Sequence, residues 1–192
     1  MTDPESLFHD IAQDNVVIHY FKNHSLRVML LSSSLGKRYG CYDENLRIAA
    51  MLHDIGKMGI SKEILFKPDR LNDLEMEIIK THPHTGNRIV RNYLGFPEAA
   101  EYVRDHHERW DGAGYPRGLK GKEISIQGRI ISICDAYDTM TLDNRSYKKD
   151  QFNSGQAVSE LMAQAGKQFD SELVHLFIDM LPEIKIPMYL LD

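Results

Sequence analysis

The chain has 192 residues, a formal net charge of −5 and a pI near 6.0. That length accommodates one domain with a sizeable core, and the mildly acidic balance excludes the basic surface that a nucleic-acid polymer requires. The two cysteines, Cys41 and Cys134, stand far apart, no signal peptide opens the chain, and no apolar run approaches the ~20 residues of a membrane span. We therefore expect a reduced, cytoplasmic protein whose partners include neither a membrane nor a nucleic-acid polymer.

The first half of the chain carries three helix signals. The first predicted helix covers residues around 14–39, and its apolar positions recur at close to helical spacing: Val17, Phe21, Val28, Leu31 and Leu35. Asp43 predicts the N-cap of a second helix that ends near Gly56, because aspartate caps helix N-termini and glycine often follows their ends. Asn72 followed by Glu75 is a capping-box pattern and predicts a third helix.

Later helices are predicted from residues that commonly begin one: Pro83, Pro97, Ser125, Asn153 and Asp170. The segment from Gly112 to Gly121 is irregular, with four glycines and a proline in ten residues. No stretch alternates apolar and polar residues for long enough to require a strand. The sequence thus predicts an all-α protein, a single helical bundle that forms one domain over residues 1–192.

Candidate metal ligands are spread along these helices, and all are histidines or aspartates: His24, His53, Asp54, His82, His106, His107 and Asp135. Nitrogen and carboxylate donors without thiolates suit iron, manganese or zinc and argue against a structural cysteine-type zinc site. Seven donors exceed the needs of one catalytic ion but fit two ions that share a bridging carboxylate. Asp54 is the natural bridge because it offers two oxygens. The other histidines are interpreted as surface residues, and His84 as a surface residue or a neighbour of the ligands.

Lys57 and Asp135 have further signals. On a helix, Lys57 shares a face with Asp54, where it is expected to hold a phosphate oxygen or stabilise a leaving oxyanion. Asp135 follows an apolar run, so its carboxylate would be costly to bury without a partner, and coordination offsets that cost. Asp138 is equally well explained as a structural carboxylate. Two metals ~3.5–4 Å apart can lower the pKa of water and clamp a phosphate, which makes phosphodiester hydrolysis a natural use of the site.

The irregular segment contains Gly114-Tyr115-Pro116. Proline fixes φ, glycine allows tight backbone paths, and the tyrosine between them presents a rigid ring. The ring is suited to stacking on a purine base, and the alternative is a tyrosine that only pins the loop.

Five segments resemble, in family order, those of the HD-GYP domains, which are bacterial metal-dependent phosphodiesterases acting on cyclic di-GMP. The segments are His24-Ser25-Leu26-Arg27-Val28, His53-Asp54-Ile55-Gly56-Lys57, His106-His107, Gly114-Tyr115-Pro116 and Arg145-Ser146-Tyr147-Lys148. The resemblance covers roughly residues 14–180 and implies a bundle of the HD-domain type. In the last segment a serine replaces the family's proline, and the run from Asp135 to Arg145 is one residue longer than usual.

The resemblance implies hydrolysis of cyclic di-GMP to pGpG, with further cleavage to GMP left open. The implied catalytic residues are Asp54 and Lys57, and the implied substrate contacts are Tyr115, Pro116, Arg145 and Lys148. Tyr20 stands where some members carry the glutamate that is associated with a third metal, so the expected cofactor is two divalent ions, iron or manganese, with zinc as an alternative. The loop around Tyr115 is also an expected contact for a signalling partner.

Two other functions remain open from the sequence. One is an HD-type phosphohydrolase for another nucleotide, either a hybrid cyclic dinucleotide or a mononucleotide. The other is a binding module that recruits a partner without hydrolysis. Domains of this family usually follow input domains, so the chain is expected to be either free-standing or a part of a larger sensor protein.

Overall fold

The computed structural model describes residues 4–141 and 152–191, and within those residues it is helical, without a strand. The all-α prediction is confirmed. The α-helices in chain order are α1 Pro4–Asp14, α2 Val16–Tyr39, α3 Glu44–Leu52, α4 Lys62–Leu65, α5 Asp73–Ile79, α6 His82–Asn92, α7 Pro97–Asp105, α8 Ile126–Thr141, α9 Ser154–Ala163 and α10 Ser171–Met180. Short 3-10 helices lie at Ile55–Gly59, Gly121–Glu123, Leu181–Glu183 and Met188–Leu190.

Helix α2 is the centre of the bundle. Asn15 begins it by accepting hydrogen bonds from the amides of Val17 and Ile18, and Gly40 ends it with a φ of 85° that favours glycine. All five predicted apolar positions of this helix are buried. Helix α2 packs against α1, α3, α8 and α10, so the predicted helix at 14–39 is confirmed as the element around which the others assemble.

The predicted caps account for most of the other helix starts. Asp43 accepts the amide of Leu46 at 2.6 Å, and Asn72 and Glu75 form the predicted capping box. Helices α6 to α10 begin where predicted, at or beside the residues Pro83, Pro97, Ser125, Asn153 and Asp170. Helix α1 and the short α4 had no counterpart among the predictions.

The predicted end of the second helix is wrong. Helix α3 ends at Leu52, and the backbone then tightens into the 3-10 helix Ile55–Gly59. The reason lies at Gly56, where a Cβ atom would come within 2.0 Å of the carbonyl oxygen of His82. The chain must turn so that the backbone at Gly56 lies against the first turn of α6.

One buried cluster fills the space between the helices, drawing on α1, α2, α3, α6, α7, α8, α9 and α10. Cys134 is buried and Cys41 half-buried, and both are free thiols. Among the described residues, no helix is long and apolar enough to cross a membrane.

We predict that Gly56→Ala destabilises the protein, because the added methyl group would collide with backbone rather than with a side chain that can move. Overpacking of this kind costs about 1–3 kcal/mol, which corresponds to a fall in Tm of roughly 2–12 °C for a chain of this size. The measurement is thermal unfolding followed by circular dichroism.

Gly59→Ala is the matched control. A Cβ atom at Gly59 meets only a side-chain methyl of Thr85, at 3.6 Å, and this glycine does not have a positive φ. Equal Tm values for the two variants would contradict the close approach at Gly56.

Candidate metal centre

Five helical elements bring all seven predicted ligands together. His24 lies in α2 and Asp135 in α8, whereas the others lie at helix ends. His53 is the C-cap of α3 and Asp54 follows it, His82 begins α6, and His106 is the C-cap of α7. His53, Asp54, His82 and His106 are buried, as is His24, whereas His107 and Asp135 remain partly accessible.

The ligands form two groups of three. In the first group are His24, His53 and Asp135, and in the second are His82, His106 and His107. Within each group the ligand atoms lie within 4.8 Å of one another. A catalytic metal site typically has three protein donors and one position left open. Each group here offers three donors, of which one is partly accessible.

Asp54 lies between the two groups. Its Oδ1 is 3.3 Å from Nε2 of His82, in the second group. Its Oδ2 faces the first group, 3.7 Å from Nε2 of His53 and 3.8 Å from Nε2 of His24. The carboxylate therefore turns one oxygen to each group, as the bridging role requires.

Hydrogen bonds fix which nitrogen faces the centre in three of the histidines. Nδ1 of His53, His82 and His106 donates to the backbone carbonyls of Ala50, Ile79 and Val103, at 2.8, 2.8 and 2.6 Å. A carbonyl only accepts, so Nδ1 carries the proton in each ring. In the neutral ring Nε2 is then a bare acceptor, which is the form that binds a metal.

The chemistry of this donor set tests whether a metal fits. Nε2 of His82 lies 3.2 Å from Nε2 of His106, and burial lowers the pKa of His106 well below its usual value, so that ring is neutral. With Nδ1 protonated in both rings, no proton of His106 is available for a hydrogen bond between the two Nε2 atoms. When both rings are neutral, the two Nε2 atoms turn electron pairs toward each other, and a shared cation would relieve that opposition. The residues present therefore fit a divalent metal.

The charges point to the same conclusion. Burial alone would raise the pKa of Asp54, but Lys57 and the imidazoles of His53 and His82 hold it well below its usual range. Burial likewise opposes ionisation of Asp135, and the hydrogen bond from His24 outweighs it and lowers the pKa. The centre thus contains two ionised carboxylates, which favour a bound cation.

Asp138 and Arg27 fix the position of His24 on the side away from the other ligands, and the sequence did not identify these two residues as a pair. Burial lowers the pKa of His24, but Asp135 and Asp138 outweigh burial and raise it to about 9. Nδ1 of His24 lies 2.7 Å from Oδ2 of the fully buried Asp138. Arg27 donates to both oxygens of the same carboxylate, at 2.7 and 3.0 Å, and to the carbonyl of Leu190 at 2.6 Å.

Lys57 lies at the edge of the centre. Its Nζ is 2.5 Å from Oδ2 of Asp54 and 4.4 Å from the centroid of the Phe21 ring. The shared face of Lys57 and Asp54 was predicted from α-helical spacing, which is wrong for this segment. The contact forms because side chains three residues apart eclipse in a 3-10 helix.

The Gly114-Tyr115-Pro116 loop covers the second group. The Tyr115 ring lies over that of His107, with centroids 5.0 Å apart and planes inclined by 31°. The amide of Tyr115 donates to the carbonyl of His107, and a Cβ atom on Gly114 would lie 2.3 Å from the amide nitrogen of Arg109. Pro116 is exposed. The tyrosine thus contacts a candidate ligand, and its contact with substrate stays a prediction.

A buried glutamate that the sequence analysis missed holds this loop. Glu108 accepts the amide of Arg117 at 2.6 Å and that of Leu119 at 2.9 Å. The only sequence signal for Glu108 was its position directly after His106-His107. The groups that it binds are backbone amides of the loop, which leave no pattern in the sequence.

Three other predictions have different outcomes. Arg145 and Lys148 lie outside the described residues. Tyr20 is half exposed and packs edge-on against the rings of Phe21 and Phe66, so its bearing on the number of metals stays a prediction. His84 is exposed and outside both groups, in agreement with its interpretation as a surface residue.

Comparison with known proteins identifies the family. The sequence model of the HD domain matches residues 8–173. The chain belongs to the HD domain family. This confirms the resemblance seen in the five segments and the expected type of helical bundle.

Relatives and solved structures agree with this assignment. The chain is 40% identical over 166 residues to a "Cyclic di-GMP phosphodiesterase" of Thermotoga maritima, covering 84% of this chain and 45% of that protein. It is 39% identical to "3'3'-cGAMP-specific phosphodiesterase 2" of Vibrio cholerae, covering 81% and 30%. An HDG"Y"P protein from Bdellovibrio bacteriovorus has the same fold, with a TM-score of 0.67 at 22% identity over 84% of this chain and 52% of that one. The chain thus spans less than half the length of these two curated relatives.

We predict that Asp54→Ala loses bound metal whereas Lys57→Ala retains it. Within residues 4–141 and 152–191, Asp54 is the only carboxylate that turns one oxygen to each group. Changing a residue that merely supports metal ligands already costs 10–100-fold in affinity, so removing Asp54 should cost at least about that much. Removing Lys57 leaves the carboxylate more available to a cation. Metal content per chain is measured by mass spectrometry after dialysis.

Lys57→Ala is therefore also the control for damage to this segment. Equal metal loss in the two variants would contradict the division of roles. Three ions per wild-type chain would contradict the expectation of two.

Proposed function

We propose that the chain hydrolyses a cyclic dinucleotide, cyclic di-GMP, to the linear product pGpG. The observation that carries the proposal is the pair of three-ligand groups joined by Asp54. The relative named as a cyclic di-GMP phosphodiesterase supports the substrate, since its identity of 40% extends over 84% of the chain. Further hydrolysis of pGpG to GMP would require the linear product to be bound at the same centre.

We propose two divalent ions, iron or manganese, with zinc as the alternative. The first ion would be held by His24, His53 and Asp135, the second by His82, His106 and His107, and Asp54 would bridge them. When bound, such ions supply a nucleophilic water at neutral pH and draw charge from the phosphate. The chain's own residues fix the donors in place: the carbonyls of Ala50, Ile79 and Val103 orient three imidazoles, and Asp138 orients the fourth.

Lys57 is the proposed phosphate-binding residue next to the ligands. Its ammonium lies at the edge of the centre beside Asp54, and one of its neighbours is the aromatic face of Phe21. A phosphodiester bound there would meet a fixed positive charge that stabilises the oxyanion formed as the bond to the leaving oxygen breaks. Arg145 and Lys148 are proposed to add positive charge on the basis of the resemblance alone.

Turnover by the metal-reconstituted protein tests the proposal. We expect cyclic di-GMP to be converted to pGpG, detected by chromatography, with Asp54→Ala inactive because its metal is lost. Lys57→Ala should retain metal and lose most of its activity. Full metal occupancy without hydrolysis of any cyclic dinucleotide would contradict the proposal and favour the partner-binding module.

The hybrid dinucleotide is the second candidate substrate. It is favoured by the identity of 39% to a relative named as specific for 3'3'-cGAMP. Faster turnover of 3'3'-cGAMP than of cyclic di-GMP in the same assay would establish it. We further propose a cytoplasmic location and a surface for a signalling partner at the Gly114-Tyr115-Pro116 loop.

The role of Tyr115 gives a separate prediction. If its ring stacks on a base, Tyr115→Ala should lower kcat/KM roughly 5- to 150-fold, the effect of losing about 1–3 kcal/mol of stacking, while the metal content stays unchanged. Tyr115→Phe is the matched control, because it keeps the ring and should remain close to the wild type.

Two other results have distinct meanings. A lower Tm together with loss of metal from the second group would show that the ring only pins the loop on His107. Unchanged kinetics with lost association to a partner would assign the ring to protein recognition.

A further inference from the structure

A cavity of about 640 Å³ adjoins the metal centre on the side of Lys57. Lys57 lines the cavity, and its ammonium lies 2.5 Å from the bridging carboxylate of Asp54. Cavities of 300–1,000 Å³ are the usual size for small-molecule sites. A substrate phosphate held at the centre therefore has room for an adjacent group next to Lys57.

The walls of this cavity suit a flat aromatic ring. Phe21, Leu65, Leu71 and Ile79 contribute apolar surface. The ring of Phe21 already lies under the ammonium of Lys57, so the wall begins at the metal centre and continues outward. A nucleotide base is attached to its phosphate through the sugar. Apolar surface next to a phosphate site therefore lies where a base would be bound.

Two exposed charged residues that line the cavity have no role in the metal centre. These residues are Asp69 and Arg70. Within residues 4–141 and 152–191, neither makes a hydrogen bond or an ion pair, whereas the neighbouring Lys67 is bound to Glu75 at 2.6 and 2.8 Å. An acceptor and a donor thus stand side by side, both available to a ligand.

We propose that this cavity is a guanine subsite in which Asp69 accepts hydrogen bonds from N1–H and the N2 amino group, and Arg70 donates to O6 and N7. Guanine presents two adjacent donors on the edge that carries N1, which match the two oxygens of a carboxylate. Adenine presents an acceptor at N1, which a carboxylate repels. Arginine pairs with O6 and N7 of guanine, whereas adenine has a donor in place of O6. The inference rests on the proposed function and assigns its preference for guanine to Asp69 and Arg70.

The decisive variant is Asp69→Asn. The amide is isosteric with the carboxylate, but it carries one donor group and one acceptor, so it no longer matches the two donors of guanine and is compatible with adenine. We expect kcat/KM for cyclic di-GMP to fall about 10- to 100-fold, the size of a lost hydrogen bond to a charged group, and the preference for cyclic di-GMP over cyclic di-AMP to collapse. Arg70→Gln should lower kcat/KM for cyclic di-GMP and raise it for cyclic di-AMP, because a glutamine amide pairs with N6 and N7 of adenine.

Hydrolysis of bis(p-nitrophenyl) phosphate separates this subsite from the metal centre. That diester has no base, so both variants should hydrolyse it at the wild-type rate and keep their metal. Asp73→Asn is the matched control, because Asp73 is an exposed aspartate in the first turn of α5 and does not line the cavity. An unchanged preference between the two dinucleotides in both variants would overturn the guanine subsite while leaving the hydrolase intact.

Binding supplies a test that does not depend on turnover. If the wild type hydrolyses neither diester, the proposed function fails, and calorimetry with GMP and AMP on the metal-loaded chain then tests the subsite. Weaker binding of GMP by about 10-fold or more in Asp69→Asn, with AMP unaffected or tighter, supports the subsite. Equal effects on both nucleotides would overturn it.

Discussion

Four of the five histidines at the candidate metal centre can offer only one nitrogen, because the other is already committed to a hydrogen bond. Three imidazoles donate from Nδ1 to a backbone carbonyl and the fourth, His24, meets the carboxylate of Asp138. Their Nε2 atoms therefore converge on a small volume that also contains the ionised carboxylates of Asp54 and Asp135. Lys57 and the ring of His24, whose pKa is raised to about 9, carry positive charge here, and a divalent cation bound to these atoms would displace the His24 proton. The backbone carbonyls thus prepare three of the rings to bind a metal through Nε2.

The three carbonyls that orient these imidazoles lie at the ends of helices. Ala50 lies in the last turn of α3, Ile79 is the last residue of α5 and Val103 lies in the last turn of α7. Carbonyls at a helix C-terminus have no partner within the helix, so a histidine shortly after the end satisfies the carbonyl and is oriented by it. The negative end of each of these helix dipoles also lies at the candidate centre, where it would favour a bound cation. The bundle thus holds its metal centre with groups that every helix end leaves unpaired.

Local signals explain which parts of this arrangement the sequence predicts. The caps at Asp43, Asn72 and Asn153 act within three residues, so their helices begin where the sequence places them. The ligands were predicted as a set because the histidines and aspartates stand in segments that resemble, in family order, those of the HD-GYP domains. The end of α3 was placed too late, since the turn at His53 depends on the close approach of Gly56 to α6, which is a tertiary contact. Arg27 and Asp138 are separated by 111 residues, so no local pattern joins them.

The ligand set does not by itself select a substrate, because the phosphate that it would bind is common to all cyclic dinucleotides. Discrimination between bases must come from groups beside the centre, and relatives at 40% and 39% identity carry names with different dinucleotides. The two sides of this centre differ in chemistry. Tyr115, on His107, presents a ring face that would accept any base, whereas the cavity beside Lys57 is lined by a carboxylate and a guanidinium that would distinguish guanine from adenine. In the proposed subsite, selectivity for guanine would depend on residues 69 and 70, which can change without disturbing the candidate metal ligands.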